Sequence, residues 1–200
     1  MAPNLFHKIN KNKNIQKKER FHQDGILFDL KSPEAFDEVF FSLFSDEEIF
    51  DELIKFISLI LRKYNKKRYL SKNNLNYKRI DIIQKIIPNS IFLIPFRHPL
   101  QHAFSLFNLH KNFLELQKKD NFIIRYMNYL GHNEFGVNHK SWFKPQIYFD
   151  YKGINYWLEQ WCLFYQNLLN KYKNKKNCHF FCFEKINDNY YISKLKDLVG

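Results

Sequence analysis

Residues 91–106, IFLIPFRHPLQHAFSL, decide the fold class of this 200-residue chain. The first six of them are apolar and lie between Asn89-Ser90 and Arg97, a pattern typical of a strand buried on both faces of a parallel sheet. Pro99 suits the first turn of a helix. The stretch therefore predicts a strand, an arginine and a helix. An anion is expected at this junction, because open α/β sheets bind ligands at the carboxyl ends of their strands.

A second junction of the same kind precedes it. The sequence YLSKNN at residues 69–74 ends an apparent strand with Lys72, and a helix predicted over residues 77–87 is closed by Pro88. The order strand, lysine, helix, strand, arginine, helix fits within about forty residues, as a right-handed βαβ unit requires. The two motifs together therefore predict one such unit.

Together these motifs resemble the segment with which PAPS-dependent sulfotransferases bind their sulfuryl donor, 3′-phosphoadenosine 5′-phosphosulfate (PAPS). In that family an arginine and a serine eight positions later hold the 3′-phosphate, and Arg97 and Ser105 match them. The resemblance implies that Lys72 lies near the sulfuryl group as a catalytic residue. It also places Asn74 where some cytosolic members carry a catalytic histidine.

The later part of the chain extends the resemblance. An amphipathic helix is predicted over residues 154–172, and a lysine-rich turn and an apolar strand over residues 178–183 follow it. Glu184 then stands in the sequence Phe-Glu-Lys-Ile, a partial match to a Tyr-Glu-Asp-Leu type motif of the family. An α/β fold is implied: a three-layer domain with a parallel central sheet, of the P-loop-NTPase-like sulfotransferase type and incomplete.

Two helices are predicted before Lys72. Ser32-Pro33 opens the first, which should end near residue 44. Ser45 and Glu48 form a capping box for the second, which should run to about residue 63.

A helix and a long loop are predicted after the arginine motif. Asp120 caps the helix, and Gly131 ends it. Residues 131–153 have turn signals but little regular pattern. This loop either covers the acceptor site, or supplies part of a partner surface, or packs as a compact Ω-loop.

A general base has to take the proton of the acceptor. Asn74 cannot do this, whereas some carbohydrate sulfotransferases use a glutamate, and the segment SPEAFDE offers Glu34 and Glu38. A carboxylate becomes an effective base where a dry site raises its pKa toward neutrality. Either glutamate is a candidate catalytic residue. The competing interpretation is that these acidic residues complement a helix N-terminus.

The chain departs from the family at the 5′-phosphosulfate. Sulfotransferases hold that group in a loop rich in Gly, Ser and Thr, and no such loop precedes Lys72. We expect a loosely ordered basic segment over residues 1–24 and a partial sulfotransferase-like domain over residues 25–200. The chain is then either a truncated enzyme or a degenerate domain that binds an anion without turnover, and either one has an exposed sheet edge.

Composition favours anionic partners. Lys and Arg number 32 against 20 Asp and Glu, which suits a nucleotide together with a small-molecule or carbohydrate acceptor. The alternative is a non-catalytic basic protein that binds anions or nucleic acid. Nucleic acid is less favoured, because the sequence has no zinc-finger, basic-zipper or RNP-like motif.

Cysteines and histidines predict neither a disulfide framework nor a metal site. The three cysteines do not make a framework, and His98 and His102 lack a further ligand at suitable spacing. The sequence shows no signal peptide and no run of about 18 apolar residues. We therefore expect a cytoplasmic protein that does not enter a membrane.

Overall fold

The structure is a computed structural model that describes residues 17–19, 25, 27–28, 37–147 and 150–199. These residues form an α/β arrangement with seven α-helices and a small parallel sheet of two strands. The chain divides into two compact units, one of Met1–Ser45 with Leu109–His139 and one of Asp46–Asn108 with Lys140–Gly200. Most of the basic segment predicted over residues 1–24 lies outside the described residues.

The described residues form seven α-helices, four β-strands and two short 3₁₀ helices. Short 3₁₀ helices occupy Asn74–Lys78 and Phe183–Lys185. The remaining elements, in chain order, are β1 Lys18–Glu19, β2 Leu27–Phe28, α1 Asp37–Ser42, α2 Ile49–Tyr64, α3 Ile80–Ile86, β3 Phe92–Phe96, α4 Pro99–Lys119, α5 Asn121–Tyr129, α6 Ile154–Tyr172, β4 Cys178–Cys182 and α7 Asn189–Val199.

Strands β3 and β4 pair in parallel, in a register that runs from Phe92 opposite Cys178 to Phe96 opposite Cys182. Alternate side chains face opposite sides of the pair. One side packs on a core built mainly by α3 and α6, whose buried members are Ile80, Ile94, Tyr165, Leu168, Tyr172 and Cys178. This confirms the predicted α/β class and a parallel pairing, at the level of two strands.

The outer edges of this pair are partly satisfied by side chains. Pro95 has no N–H to offer on the outer edge of β3, and its carbonyl accepts the hydroxyl of Tyr165 at 2.7 Å. On the outer edge of β4, the N–H of Cys182 donates to the hydroxyl of Tyr191 at 2.6 Å. These contacts reduce the tendency of the edges to pair with another chain.

The strand expected before Lys72 is absent from the described structure, and this part of the prediction is wrong. Residues 68–73 have no strand pairing, and the 3₁₀ helix Asn74–Lys78 follows them directly. The side chain of Asn73 accepts the N–H of Leu75 at 2.7 Å, which turns the backbone at this point. An Asn-rich turn therefore replaces the strand end that the sequence suggested.

Helix boundaries agree with the local signals at some ends and not at others. The side chain of Asp120 accepts the N–H of Phe122 at 2.8 Å, which confirms the predicted cap of α5. The capping box of Ser45 was wrong as a boundary, because α2 begins at Ile49 after a turn over residues 46–48. Of the helix predicted from Pro33, the structure describes Asp37–Ser42 as α1, and residues 33–36 lie outside the described part.

Across the described ranges, no helix has both the length and the apolar character needed to cross a bilayer.

Candidate functional site

The candidate site is the junction of β3 and α4, where Arg97 and His98 connect the two elements. Arg97 is half-buried, and its guanidinium carbon lies 5.4 Å from the centroid of the Phe183 ring, within the range of a cation–π contact. Its Nε is buried and has no hydrogen-bond partner among the described residues. The junction thus holds a fixed positive charge with one donor unused.

A carboxylate of the chain already occupies the N-terminus of α4. Glu184 accepts the backbone N–H of His98 at 2.7 Å. This N–H, the N–H of Glu184 itself and the Cys182 thiol hold the pKa of the Glu184 carboxyl below its usual value, and the charge of Arg97 adds to them. The sequence pattern predicts an anion at this junction, and the structure supplies one from Glu184, the second residue after β4.

Two further side chains lie beside the junction, the buried Tyr165 and the half-buried His102. The hydroxyl of Tyr165 binds the carbonyl of Pro95, and burial raises its pKa to about 12. The His102 ring lies 6.5 Å from the Tyr165 ring, measured between centroids. Burial, with a smaller effect of the Arg97 charge, lowers the pKa of His102 to about 4. His102 is therefore neutral at physiological pH.

Ser105 lies on α4 and is exposed to solvent. It follows His102 by three positions, so the two residues share one face of the helix. Arg97 and Ser105 thus lie in one compact unit, on the junction and on the helix that it starts. That the two residues bind the same phosphate stays a prediction.

Lys72 is exposed and lies in the same unit as Arg97. Its Nζ donates to the side-chain oxygen of Asn74 at 2.9 Å. Asn74 opens the short 3₁₀ helix, so the structure gives it a role that the sequence did not indicate, which is to orient the ammonium group. A histidine at this position would bring a base, whereas the asparagine can only accept or donate hydrogen bonds.

The two candidate bases are not brought to this junction by anything that the structure describes. Glu34 lies outside the described residues. Glu38 is half-buried on α1 in the other compact unit, and its Cβ lies close to Gly131, whose φ is +74°. A Cβ built on Gly131 would approach the Cβ of Glu38 to 3.0 Å. Glu38 has a packing role in its own unit, and its assignment as a base stays a prediction.

The first half of the loop at residues 131–139 packs on a buried polar network. His110 is fully buried, and its Nδ1 accepts the N–H of Gly136 at 3.2 Å. Gln117, also buried, accepts the N–H of Val137 at 2.8 Å. The Nδ1–H of His139 donates to the carbonyl of Glu134 at 2.6 Å. Burial lowers the pKa of His110 to about 4, and the nearby His139 contributes to the shift.

The second half of the loop is held by α6. The Oε1 of Gln160 accepts the N–H groups of Trp142 and Phe143 at 2.9 and 3.2 Å, and its amide donates to the carbonyl of Phe143 at 2.9 Å. The preceding residue, Glu159, accepts the N–H groups of Gln146 and Ile147, both at 2.8 Å. Packed segments account for these residues better than a mobile cover over an acceptor site.

The described residues contain no group of three or more histidine, cysteine, aspartate or glutamate side chains placed to hold a metal ion. His98 and His102, the helical pair that the sequence suggested, differ in exposure: His98 is exposed and His102 is half-buried. The three cysteines, all within the described part of the chain, are free thiols.

Sequence reasoning missed Glu184 and His102 as parts of this site. In the sequence, Glu184 stands out only as part of a partial motif, and His102 only as one of two histidines that lack a further metal ligand. Comparison with known proteins adds no further candidate, because no family model, no curated protein and no solved structure matches the chain. The functional assignment therefore rests on these residues and their geometry.

Proposed function

We propose that this chain is a sulfotransferase-like protein that binds PAPS and transfers its sulfuryl group to a hydroxyl or amine acceptor. The observation that carries the proposal is the position of Arg97. It stands at the carboxyl end of a parallel strand, directly before a helix, with a buried Nε that has no partner among the described residues. A phosphate group can accept this donor and neutralise the charge.

Arg97 and Ser105 hold the 3′-phosphate in this proposal. Glu184 occupies the N–H of His98, so a bound phosphate has to use side chains more than the N-terminus of α4. Arg97, which precedes α4, offers its guanidinium, and Ser105 offers an exposed hydroxyl on α4. The carboxylate of Glu184 also repels the phosphate, which makes the contribution of Arg97 more important for binding.

Lys72 is the proposed catalytic residue. In sulfuryl transfer, the acceptor atom forms a bond to sulfur while the bond from sulfur to the 5′-phosphate oxygen breaks, and negative charge moves to the departing nucleotide. An ammonium group close to that oxygen stabilises the charge. Asn74 holds the Lys72 ammonium at 2.9 Å, which limits its rotation. Glu34 or Glu38 is the proposed acceptor of the proton.

The test compares two ligands at two salt concentrations. Binding of adenosine 3′,5′-bisphosphate and of a single-stranded oligonucleotide is measured by calorimetry with the full chain, Arg97→Ala and Arg125→Ala. Arg125 is an exposed arginine on α5 and serves as the matched control. We expect nucleotide binding that persists in salt, is lost in Arg97→Ala and is kept in Arg125→Ala.

The opposite result would support the non-catalytic alternative. Binding to the oligonucleotide alone, with a steep loss of affinity at high salt, is the behaviour of a basic surface that releases counterions from phosphates. In that case Arg97→Ala and Arg125→Ala would weaken binding by similar factors, because each removes one of many positive charges.

A further inference from the structure

Three buried polar atoms at and beside the junction of β3 and α4 have no hydrogen-bond partner among the described residues. They are the Nε of Arg97, the Nδ1 of His102 and the Nε1 of Trp161. The Trp161 ring lies 4.7 Å from the Tyr165 ring, between centroids. Buried polar atoms without a partner cost free energy, so a polar ligand that reached these atoms would be stabilised by them.

Two of these atoms lie at the carboxyl end of β3. Arg97 is the first residue after the strand. His102 lies in the first turn of α4, where its backbone N–H donates to the carbonyl of His98 at 3.0 Å. Its ring lies 6.5 Å from the Tyr165 ring, between centroids. Tyr165 is itself fixed to the strand through the carbonyl of Pro95. The strand, the helix and α6 therefore position Arg97 and His102 together.

The groups that face His102 explain why it is neutral. Arg97 from the strand end repels a proton on the imidazole, and Glu184 from the 3₁₀ helix after β4 attracts one more weakly. Tyr165 from α6 keeps its own proton, because burial raises its pKa to about 12. Burial has the largest effect and lowers the pKa of His102 to about 4. An anion beside Arg97 would remove the repulsion and add an attraction.

We propose that His102 is a second anion-binding residue beside Arg97, and that it takes one proton from solvent when an oxyanion such as a phosphate monoester or sulfate binds. The imidazolium Nδ1–H then donates to the oxyanion, and the Nε–H of Arg97 donates to the same group. This inference rests on the anion-binding part of the proposed function and adds pH dependence to it.

Proton uptake predicts the direction and size of a pH effect. Affinity rises as the pH falls, because His102 binds its proton at a higher pH in the bound state than in the free state. If the bound anion returns the pKa of His102 to an ordinary value of about 6.5, affinity at pH 6 is about fourfold higher than at pH 8. Sulfate is a suitable probe, because it stays divalent over this range.

The experiment measures binding of inorganic sulfate and of adenosine 3′,5′-bisphosphate to the full chain at pH 6 and pH 8, by calorimetry at constant ionic strength. The variants are His102→Gln and His102→Asn, with His179→Gln as the control. His179 is on β4, where its side chain alternates to the face opposite the core residues Cys178 and Phe180. We expect the fourfold gain for sulfate in the wild type and in His179→Gln, and no gain in either His102 variant.

A second readout needs no variant that could fail to fold. The imidazole of His102 is followed by NMR during a pH titration with and without sulfate, and its pKa should move upward when sulfate is present. An unchanged pKa for His102 in saturating sulfate would overturn the inference. So would an equal pH gain in the wild type and both His102 variants.

The outcomes separate this inference from the proposed function. A His102-dependent pH gain for sulfate, without any nucleotide binding, would support the inference and contradict PAPS as the ligand. Nucleotide binding that needs Arg97, with no effect of His102 on the pH dependence of sulfate affinity, would overturn the inference alone. Binding of neither probe would overturn both.

Discussion

The carboxylate of Glu184 accepts the backbone N–H of His98 at 2.7 Å, between residues that are 86 positions apart in the sequence. The preceding residues meet as well, since Arg97 lies over the ring of Phe183. Arg97 and His98, which follow β3, therefore contact Phe183 and Glu184, which follow β4. The parallel register of the two strands brings both pairs to the same edge of the sheet. The candidate site is thus built from residues that follow both strands.

Replacing Glu184 by glutamine should destabilise the protein most at neutral pH. The pKa of Glu184 is lowered in the folded state, so its contribution to stability is present above its ordinary pKa of 4.5 and is lost as the pH falls through the lower folded value. Urea unfolding of the wild type and Glu184→Gln between pH 3 and pH 7 measures this. The difference in unfolding free energy should shrink toward acid pH, whereas the exposed control Glu47→Gln should show a small difference throughout. A difference in unfolding free energy between the wild type and Glu184→Gln that grows toward acid pH would contradict the stabilising role of this contact.

Removing the side chain of Gln160 should release the segment around Trp142 and Phe143. Gln160 is fully buried and makes three hydrogen bonds to that segment. Gln160→Ala leaves buried backbone groups without partners, and we expect a loss of about 3 kcal/mol in unfolding free energy. Gln166→Ala, at an exposed position of the same helix, should cost less than about 0.5 kcal/mol. Equal losses in the two variants would show that the network contributes little.

Gly136 should tolerate no side chain. Its φ is +85°, and a Cβ would overlap the side-chain amide of Gln117. Gly25 has a similar φ of +77° but open space around its Cβ position, so it reports the backbone strain without the clash. We expect Gly136→Ala to cost about 3 kcal/mol and Gly25→Ala about 1 kcal/mol, measured by thermal or urea unfolding. A smaller loss for Gly136→Ala than for Gly25→Ala would contradict the packing of this loop.

Replacing Tyr165 by phenylalanine should remove the bond to the carbonyl of Pro95 and leave the ring in place. We expect a loss of about 1 kcal/mol in unfolding free energy, together with weaker binding at the junction that this bond supports. The pKa of Tyr165 is raised to about 12. The absorbance titration of tyrosine up to pH 11 should therefore be the same in the wild type and Tyr165→Phe. Loss of one tyrosine from the titration below pH 11 would show that the hydroxyl is accessible.

Local signals predicted much of the fold. Pro99 begins α4, Asp120 caps α5, and the predicted helix over residues 154–172 coincides with α6. Each of these boundaries depends on neighbours within a few residues. An apolar run flanked by turn residues also identified β3 and β4, which pair in parallel as expected.

Features that depend on distant contacts could not be predicted in the same way. The contact between Glu184 and His98 and the burial of His102 arise only when the two strands align. The predicted strand before Lys72 is absent because the side chain of Asn73 accepts the N–H of Leu75 and turns the backbone, a competing signal within the same six residues. The sequence also gives no sign of the two compact units, because one of the divisions between them falls between Asn108 and Leu109, inside the continuous helix α4.

The central claim is that Arg97 holds the 3′-phosphate of a nucleotide. The most direct test compares the affinity for adenosine 3′,5′-bisphosphate with that for adenosine 5′-monophosphate, which lacks the 3′-phosphate, in the wild type and in Arg97→Ala. A charge-assisted hydrogen bond contributes about 1.5–3 kcal/mol, so the wild type should prefer the bisphosphate by at least about tenfold. Arg97→Ala should bind the bisphosphate more weakly and lose most of this preference. A preference of the same size in both proteins would contradict the claim.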